Sequence, residues 1–212
     1  MSKFRWPIGP LFIGILGPLF LFGELAEEVV EKEPSSIDGS ILNFLHVHAT
    51  STADSIMLLA SAGGSGTILV PLNVALGLLL LYQKRNWALT FWSLSVVGAA
   101  ALNLFAKQLF QRARPALWLS IAPEKTYSFP SGHAMQTMAF SVAICTLLWH
   151  TRWRWPVVAG CCVYVFTVGL SRVYLGVHYP SDIAAGWVAS IAWVSGIRFS
   201  LLNRLSTKEQ HH

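Results

Sequence analysis

The sequence is poor in charged residues and rich in apolar ones. Only 12% of its 212 residues are charged, whereas 54% are hydrophobic, and several apolar runs are longer than the buried helices of a soluble domain require. This balance excludes an ordinary water-soluble fold and favours the lipid bilayer as the solvent of the chain. The sequence also lacks internal repeats and low-complexity tracts, so nothing in it indicates a repeat architecture.

Cysteine is scarce as well. Cys145, Cys161 and Cys162 all lie in apolar runs, without a C-x-x-C pair or accompanying histidine ligands. This pattern excludes a disulfide framework and a zinc site. We expect the three side chains to pack as small apolar groups.

The apolar runs predict an all-α integral membrane protein with six transmembrane helices in a bundle. Windows of about 19 residues locate the spans. In chain order they are residues 8–24, 66–83, 87–106, 133–149, 157–177 and 183–203. They fill more than half of the chain, so we expect residues 1–212 to form a single membrane-embedded domain.

The first span follows a short basic start and therefore has an alternative interpretation as a signal peptide. Cleavage after Gly23 or Ala26 would place Leu21 or Glu24 at a position where small side chains are preferred. We expect an uncleaved anchor.

The distribution of Lys and Arg predicts the orientation. If the N-terminus is cytoplasmic, the loops with Lys84 and Arg85 and with Arg152 and Arg154 lie on the inner side of the membrane. Most acidic residues then lie in the outer segments. This bias predicts two cytoplasmic termini. The lack of room for a large soluble domain, together with chemically active residues on the outer side, suggests a bacterial inner membrane. The net charge of +5 is spread over helix ends without a continuous basic face, so we expect no nucleic-acid partner.

The outer segment of residues 25–65 begins with an acidic run, Glu27, Glu28, Glu31 and Glu33. The run is typical of a solvated loop, although acids could also bind a cation. Two short apolar stretches predict interfacial helices at Ile41–Leu45 and Ile56–Ala60, the second with Ser51 or Thr52 as its cap.

Chemically active residues gather at three places. Lys107 ends the third span, and Arg114 and Pro115 follow it after six residues. A lysine at a helix end often only extends to lipid headgroups, so this element alone is a weak signal.

The second place is Pro130-Ser131-Gly132-His133, where the fourth helix begins. Ser131 can cap that helix, and the free N–H groups of its first turn form an anion site. Gly132 lets a ligand approach the backbone. A plain cap beside an interfacial histidine is the alternative.

The third place is Ser171-Arg172, followed by His178 and Asp182. An arginine inside an apolar span costs roughly 2.5 to 3.5 kcal/mol and needs a partner or a polar cavity. Asp182 can accept the Nδ1 proton of His178, which leaves Nε2 as a free nucleophile. A structural His and Asp pair is the alternative interpretation.

The predicted topology brings all three places to the outer face. Three cations, two histidines, one carboxylate and a helix N-terminus would converge there. Such a set matches a phosphoryl group, whose transition state spreads negative charge over its oxygens.

The three places together resemble the signature of the type 2 phosphatidic acid phosphatase superfamily, with every signature position matched in order and spacing. The matching stretches are Lys107-x6-Arg114-Pro115, Pro130-Ser131-Gly132-His133 and Ser171-Arg172-x5-His178-x3-Asp182.

The resemblance implies that His178 attacks phosphorus to form a phosphohistidine while Asp182 orients it. His133 would protonate the leaving oxygen and then activate water. The phosphate oxygens would be held by Lys107, Arg114, Ser131, Gly132 and Arg172. The family works without metal, so we expect no cofactor.

The implied substrate is a membrane lipid with a terminal phosphate or diphosphate. Undecaprenyl pyrophosphate, phosphatidylglycerophosphate, phosphatidic acid and diacylglycerol pyrophosphate all fit. Two alternatives are a vanadate haloperoxidase, whose known members are soluble and longer, and a lipid-anion binder or flippase without hydrolysis. The sequence predicts no oligomeric state.

Overall fold

The computed structural model describes residues 11–31 and 36–208, and all regular secondary structure in these ranges is helical. A single π-helical turn, Phe12–Leu16, leads into the first α-helix. The α-helices are α1 Gly17–Val30, α2 Ser36–Val47, α3 Ser51–Gly63, α4 Gly66–Tyr82, α5 Asn86–Phe110, α6 Gly132–Leu148, α7 Arg154–Tyr174 and α8 Pro180–Lys208.

Four of the described segments are long and apolar enough to cross a membrane. They are Ser51–Tyr82, which combines α3 and α4, then Asn86–Phe110, Arg154–Tyr174 and Pro180–Leu202. Helix α6 is apolar but shorter, and α1 belongs to neither group. The structure therefore supports an all-α integral membrane protein, while the count of six spans goes beyond the four that length and apolarity identify.

The predicted outer segment is more helical than expected. Ile41–Leu45 lies within α2, and Ile56–Ala60 lies within α3, which continues after a break at Gly64 and Ser65 into α4. Helix α3 is longer than the predicted stretch, and together with α4 it makes a segment long enough to cross a membrane; its position at the interface stays a prediction. The apolar stretch of α3 is short in the sequence because the small residues from Ser61 to Ser65 interrupt the hydrophobic pattern. Helix α4 nevertheless begins directly after them, at Gly66.

Two finer predictions for the same segment also change. Thr50 caps α3, because its hydroxyl accepts a hydrogen bond of 3.2 Å from the N–H of Ala53; the predicted caps Ser51 and Thr52 lie inside the helix. Glu27 and Glu28 are exposed as expected, but they lie on α1, which continues past the predicted end of the first span at residue 24. Glu33 and residues 8–10 lie outside the described ranges.

Helix α6 lies at the centre of the bundle and packs against α5, α7 and α8. Small residues such as Ala139 and Ala143 are fully buried on it. Close packing also depends on glycine in its neighbours. A methyl group on Gly98 of α5 would lie 2.3 Å from the Trp193 ring of α8. Small residues at such contacts let membrane helices approach closely enough for van der Waals packing.

An aromatic cluster positions the chain that precedes α6. Phe22 of α1, Phe110 at the end of α5 and the fully buried Phe129 pack with ring centroids 5.1 to 6.2 Å apart. Buried aromatic pairs of this kind stabilise more than their area alone suggests. The cluster therefore holds Pro130 and Ser131 against the end of α5.

Candidate active site

Four helix ends and two connections form the candidate site. The C-terminal end of α5 and its following loop meet the N-terminus of α6 and the turn between α7 and α8. Gln111 ends α5 in the left-handed conformation, with φ of 46°, and so turns the chain toward Arg112 and Arg114. The three groups of residues singled out in the sequence therefore lie at one end of the bundle.

His178 and Asp182 are in contact, as their spacing suggested. The Nδ1 atom of His178 lies 3.2 Å from Oδ2 of Asp182, which also accepts the N–H of Tyr179 at 2.9 Å. Nη1 of Arg114 lies 3.1 Å from Nε2 of His178. A guanidinium has no acceptor atom, so Nε2 must carry the lone pair and Nδ1 the proton. This is the tautomer that a histidine nucleophile needs.

Burial keeps His178 in its neutral form. The residue is 1% exposed, and burial lowers the pKa of its imidazole to about 4, with Asp182 opposing the change and Arg114 and Arg172 adding to it. A group with a lowered pKa loses its proton at a lower pH than usual. His178 therefore keeps its lone pair throughout the neutral range.

Lys107 and Arg114 approach the same short stretch of loop. The ammonium of Lys107 donates to the carbonyl of Tyr127 and, at 3.1 Å, to the hydroxyl of Thr126. Arg114 donates to the Thr126 carbonyl at 2.6 Å and to the Val177 carbonyl at 2.7 Å. Burial lowers the pKa of the Arg114 guanidinium. Both cations are thus held in place by neutral oxygen atoms.

Arg172 is almost completely buried, at 2% exposure, and its main partner is an acid. Its Nη2 lies 2.5 Å from the carboxylate of Glu124, and its Nη1 donates to the Ser61 hydroxyl at 2.5 Å. Its Nε is buried without a hydrogen-bond partner among the described residues. One donor of the Arg172 guanidinium is therefore left unsatisfied.

Ser131 caps α6, which confirms the predicted cap. Its hydroxyl accepts the N–H of Ala134 at 3.4 Å, and its own N–H donates to the Asp182 carbonyl at 3.1 Å. The N–H groups of Gly132 and His133 belong to the first turn, which has no intrahelical acceptors, so they are available to an anion.

Gly132 has a packing role that the sequence did not indicate. A Cβ atom at this position would lie 3.1 Å from the side-chain oxygen of Asn103. Asn103 in turn donates to the carbonyl of Pro130 at 2.9 Å. A larger residue at position 132 would therefore have to displace the Asn103 side chain by a few tenths of an ångström.

His133 lies in the first turn of α6, next to the break between α3 and α4. A Cβ on Gly64 would lie 3.2 Å from the His133 ring. The charges of Arg172, Arg114 and Lys107 act on His133, and so does His178. The two histidines thus share one electrostatic environment.

Several residues of the site were not found from the sequence. Glu124, Ser61 and Asn103 contact the predicted groups directly, while Arg112 and Asp38 contact Asp182 or its neighbours. Only Arg112 had a usable signal, since it lies between Lys107 and Arg114. The others are single polar residues that belong to no motif.

No group of three or more His, Cys, Asp or Glu side chains within the described ranges could hold a metal ion. The concentrated charge of the site is instead cationic. Three basic side chains and a helix N-terminus can stabilise the oxygens of a phosphoryl group, while the neutral imidazole of His178 faces the same space.

Comparisons with known proteins agree with this geometry. The sequence profile of the PAP2 superfamily matches residues 88–204. The chain is 29% identical over 187 residues to an undecaprenyl-diphosphatase of Sulfolobus acidocaldarius, with 85% of this chain and 86% of that protein aligned. It is 30% identical over 131 residues to phosphatidylglycerophosphatase B of Bacillus subtilis, with 58% and 63% aligned.

The fold is also similar to a solved structure. The crystal structure of a transmembrane PAP2 type phosphatidylglycerolphosphate phosphatase from Bacillus subtilis matches with a TM-score of 0.74 and 24% identity. The match covers 85% of this chain and 94% of that one.

The pair of Glu124 and Arg172 leads to a prediction about anion binding. Glu124 lies 2.5 Å from Arg172 and 4.0 Å from Arg114, so its carboxylate competes with phosphate for both cations. Glu124→Gln should therefore bind inorganic phosphate more tightly, by roughly twofold to fivefold, the range of a partly exposed ion pair worth about 0.4 to 1 kcal/mol. Titration of the purified protein followed by ³¹P NMR measures this affinity.

The matched control is Glu27→Gln, because Glu27 is an exposed acid on α1 away from these arginines. It should leave the phosphate affinity unchanged. Weaker phosphate binding by Glu124→Gln would contradict the prediction and would mean that Glu124 orients Arg172 for the anion.

Proposed function

The chain belongs to the PAP2 superfamily and is a membrane lipid phosphatase; on that premise we propose that it removes the terminal phosphate of a lipid phosphate or diphosphate through a phosphohistidine on His178. One observation carries this proposal. His178 has its Nδ1 on Asp182 and its Nε2 lone pair directed at Arg114, a predicted phosphate ligand. The nucleophile and the anion site therefore adjoin.

In the first step Nε2 of His178 attacks phosphorus as the bond from phosphorus to the lipid oxygen breaks. The negative charge of the bound phosphate offsets the three cations, so His133 holds a proton in the substrate complex. His133 donates this proton to the lipid oxygen, and the lipid leaves as a neutral alcohol or as a lipid monophosphate. The proton stays on Nδ1 of His178, and the Asp182 carboxylate, which accepts a hydrogen bond from it, stabilises the positive charge that develops on the ring. Arg114 releases Nε2 as it turns to the incoming phosphate.

In the second step His133, now neutral, accepts a proton from water. The resulting hydroxide attacks phosphorus, the bond between phosphorus and Nε2 breaks, and His178 regains its lone pair. Throughout both steps the phosphate oxygens are held by Lys107, Arg114, Arg172, the Ser131 hydroxyl and the N–H of Gly132. These donors are preorganised, and preorganised donors stabilise developing charge best.

The reaction requires no metal ion in this proposal. Lys107, Arg114 and Arg172 supply the positive charge that a divalent cation provides in other phosphoryl-transfer enzymes. The Nε of Arg172 is buried without a partner among the described residues, and in this proposal it is a further donor to the phosphate.

The substrate is a lipid with a terminal phosphate, and the relatives bear names of two such classes, undecaprenyl diphosphate and phosphatidylglycerophosphate. An apolar cavity of about 560 Å³ supports a long hydrocarbon chain as part of the substrate. It extends between α1, α5 and α8 from Pro130, beside the site, to Ser200. Recycling of a carrier lipid in a bacterial inner membrane is the role we propose.

A lipid-anion binder or flippase is the second candidate, since cations alone can hold a lipid phosphate. Pure binding does not require a buried neutral histidine paired with a carboxylate. The contact of His178 with Asp182 therefore favours hydrolysis over binding.

We further propose six spans, with both termini cytoplasmic and the site facing outward. Helix α1 and the shorter α6 would cross the membrane in addition to the four longer segments. Exposed Arg152 and Arg154 at the end opposite the site support this orientation, because basic residues prefer the cytoplasmic side.

Phosphate release across a lipid panel tests the function. We expect the purified protein to hydrolyse undecaprenyl pyrophosphate, phosphatidylglycerophosphate, phosphatidic acid or diacylglycerol pyrophosphate in excess chelator, because its own cations hold the phosphate. Equal or faster turnover of water-soluble sugar phosphates would contradict a lipid substrate. Activity that is lost in chelator and restored by magnesium would contradict the metal-free mechanism.

Variants of the two histidines should be blocked at different steps of the reaction. His178→Ala removes the nucleophile, so no phosphoenzyme should form with any substrate. His133→Ala keeps the nucleophile but lacks the acid and base, so an activated aryl phosphate should still phosphorylate His178, while turnover falls roughly 10² to 10⁴-fold.

The measurement is acid-labile, base-stable phosphate on the protein after a brief reaction. Covalent phosphate on His178→Ala but never on His133→Ala would reverse the roles assigned to the two histidines. If neither variant nor the wild type carries covalent phosphate, direct attack by water is favoured.

The orientation is tested with single cysteines in a background without the native ones. Lys125→Cys, in the exposed loop before α6, and Lys84→Cys, between α4 and α5, should react with an impermeant reagent from opposite sides of the membrane. Labelling of both from one side would rule out the proposed topology.

A further inference from the structure

The second oxygen of Asp182 is bound by an arginine outside the predicted site. Oδ2 of Asp182 faces His178, whereas Oδ1 lies 2.6 Å from Nη1 of Arg112. Asp182 is 0% exposed, and the Arg112 side chain is 11% exposed. A carboxylate held at both oxygens cannot rotate, so the contact with Arg112 determines which oxygen is presented to His178.

Arg112 is itself held from several sides. Its guanidinium stacks 4.1 Å from the centre of the Tyr179 ring and donates to the Ser181 hydroxyl at 2.8 Å. Its carbonyl accepts the N–H of Ser128 at 2.9 Å, which pins the loop that carries it. Arg112 thus clamps the stretch that follows His178.

Asp38 of α2 completes this buried cluster. Its side chain is 3% exposed and lies 3.1 Å from Nη2 of Arg112. It also accepts the N–H of Ser181 at 3.0 Å and the Ser181 hydroxyl at 2.5 Å. Asp38 therefore binds both Arg112 and the first turn of α8, and it links the outer segment of the chain to the site.

We infer that Arg112 and Asp38 are positioning residues for His178, which act through Asp182 as a buried series of alternating charges, Asp38, Arg112, Asp182 and His178. The inference rests on the proposed function, since it concerns the same nucleophile. It assigns α2 a role in the reaction: α2 supplies the carboxylate that balances Arg112, so that Asp182 keeps its full charge beside the imidazole.

The charges around His178 determine the sign of each expected effect. Asp182 lies at Nδ1 and Arg114 at Nε2, while Arg172 on α7 and His133 on α6 act from a greater distance. Glu124 pairs with Arg172 and lies near Arg114. None of these groups changes in the variants below, so any shift reports on Arg112 or Asp38.

Loss of the Arg112 charge should make His178 more basic. Asp182 then faces the imidazole without a balancing cation, and Asp38 adds a second uncompensated negative charge. Arg112→Gln should raise the pH midpoint of His178 protonation by about one unit. Asp38→Asn acts in the opposite direction, so in the Arg112→Gln background it should lower the midpoint again, by roughly half a unit.

The experiment measures this midpoint in two ways on the full-length protein in detergent. The first is the acid limb of kcat/KM for phosphate release. The second is the rate at which diethylpyrocarbonate modifies His178, read from its peptide by mass spectrometry, because this reagent acylates only neutral imidazole. Arg152→Gln, an exposed arginine outside the site, and Glu27→Gln are the matched controls and should leave both midpoints unchanged.

Arg112→Lys covers the case in which Arg112→Gln fails to fold. The lysine keeps the charge but loses the planar fork that binds Asp182 and Asp38 together. We expect the midpoint to stay near that of the wild type while kcat falls roughly tenfold to a hundredfold from misplacement of His178. A midpoint that rises in Arg112→Lys as well would overturn the inference.

The remaining outcomes also decide the question. Opposite shifts in Arg112→Gln and on adding Asp38→Asn support the charge series. Unchanged midpoints, or a double variant with a midpoint above that of Arg112→Gln, would mean that both residues only stabilise the fold. If the wild type hydrolyses no lipid phosphate, the proposed function fails, yet the modification rates still test the series.

Discussion

Three cationic side chains are held close together in a site that is nearly buried from solvent, and the rest of the site is arranged around that constraint. Lys107, Arg114 and Arg172 repel one another, and burial removes most of the water that would stabilise them. Carbonyl oxygens of Thr126, Tyr127 and Val177 hold the first two in place, and Glu124 balances Arg172. The arrangement leaves the cluster short of negative charge, which is the condition for binding a phosphate.

The same constraint explains why His178, the proposed nucleophile, needs its own support. A histidine beside these cations binds a proton poorly, and this keeps Nε2 free but also makes it less reactive toward phosphorus. Asp182 restores electron density to the imidazole through Nδ1. Arg112 and Asp38 hold Asp182 in place while adding no net charge between them. Arg114, a proposed phosphate ligand, and Asp182, which supports His178, therefore lie on opposite sides of the imidazole ring.

The fold can hold this cluster because the bundle brings helix ends together at one level. Helix α6 is central and shorter than its neighbours. Its N-terminus lies where α5 and α7 end and where α8 begins. Small residues such as Gly98 and Ala139 let these helices pack tightly enough to keep the ends in register. Rigid helix ends fix catalytic groups better than loops do.

The sequence alone was sufficient for the membrane class, the family and the grouping of Lys107, Arg114, His133, Arg172, His178 and Asp182, because apolar runs and fixed spacings are local properties of the chain. The predicted cap at Ser131 is local too, and it was confirmed. The sequence could not reveal that α3 continues toward α4, since Ser61 to Ser65 interrupts the apolar pattern although the chain resumes its helical course. Nor could it reveal Glu124, Ser61, Asn103 or Asp38 as partners. These residues lie far along the chain from the groups they bind, and only the packing of α2, α3, α5 and the loop before α6 brings them into contact.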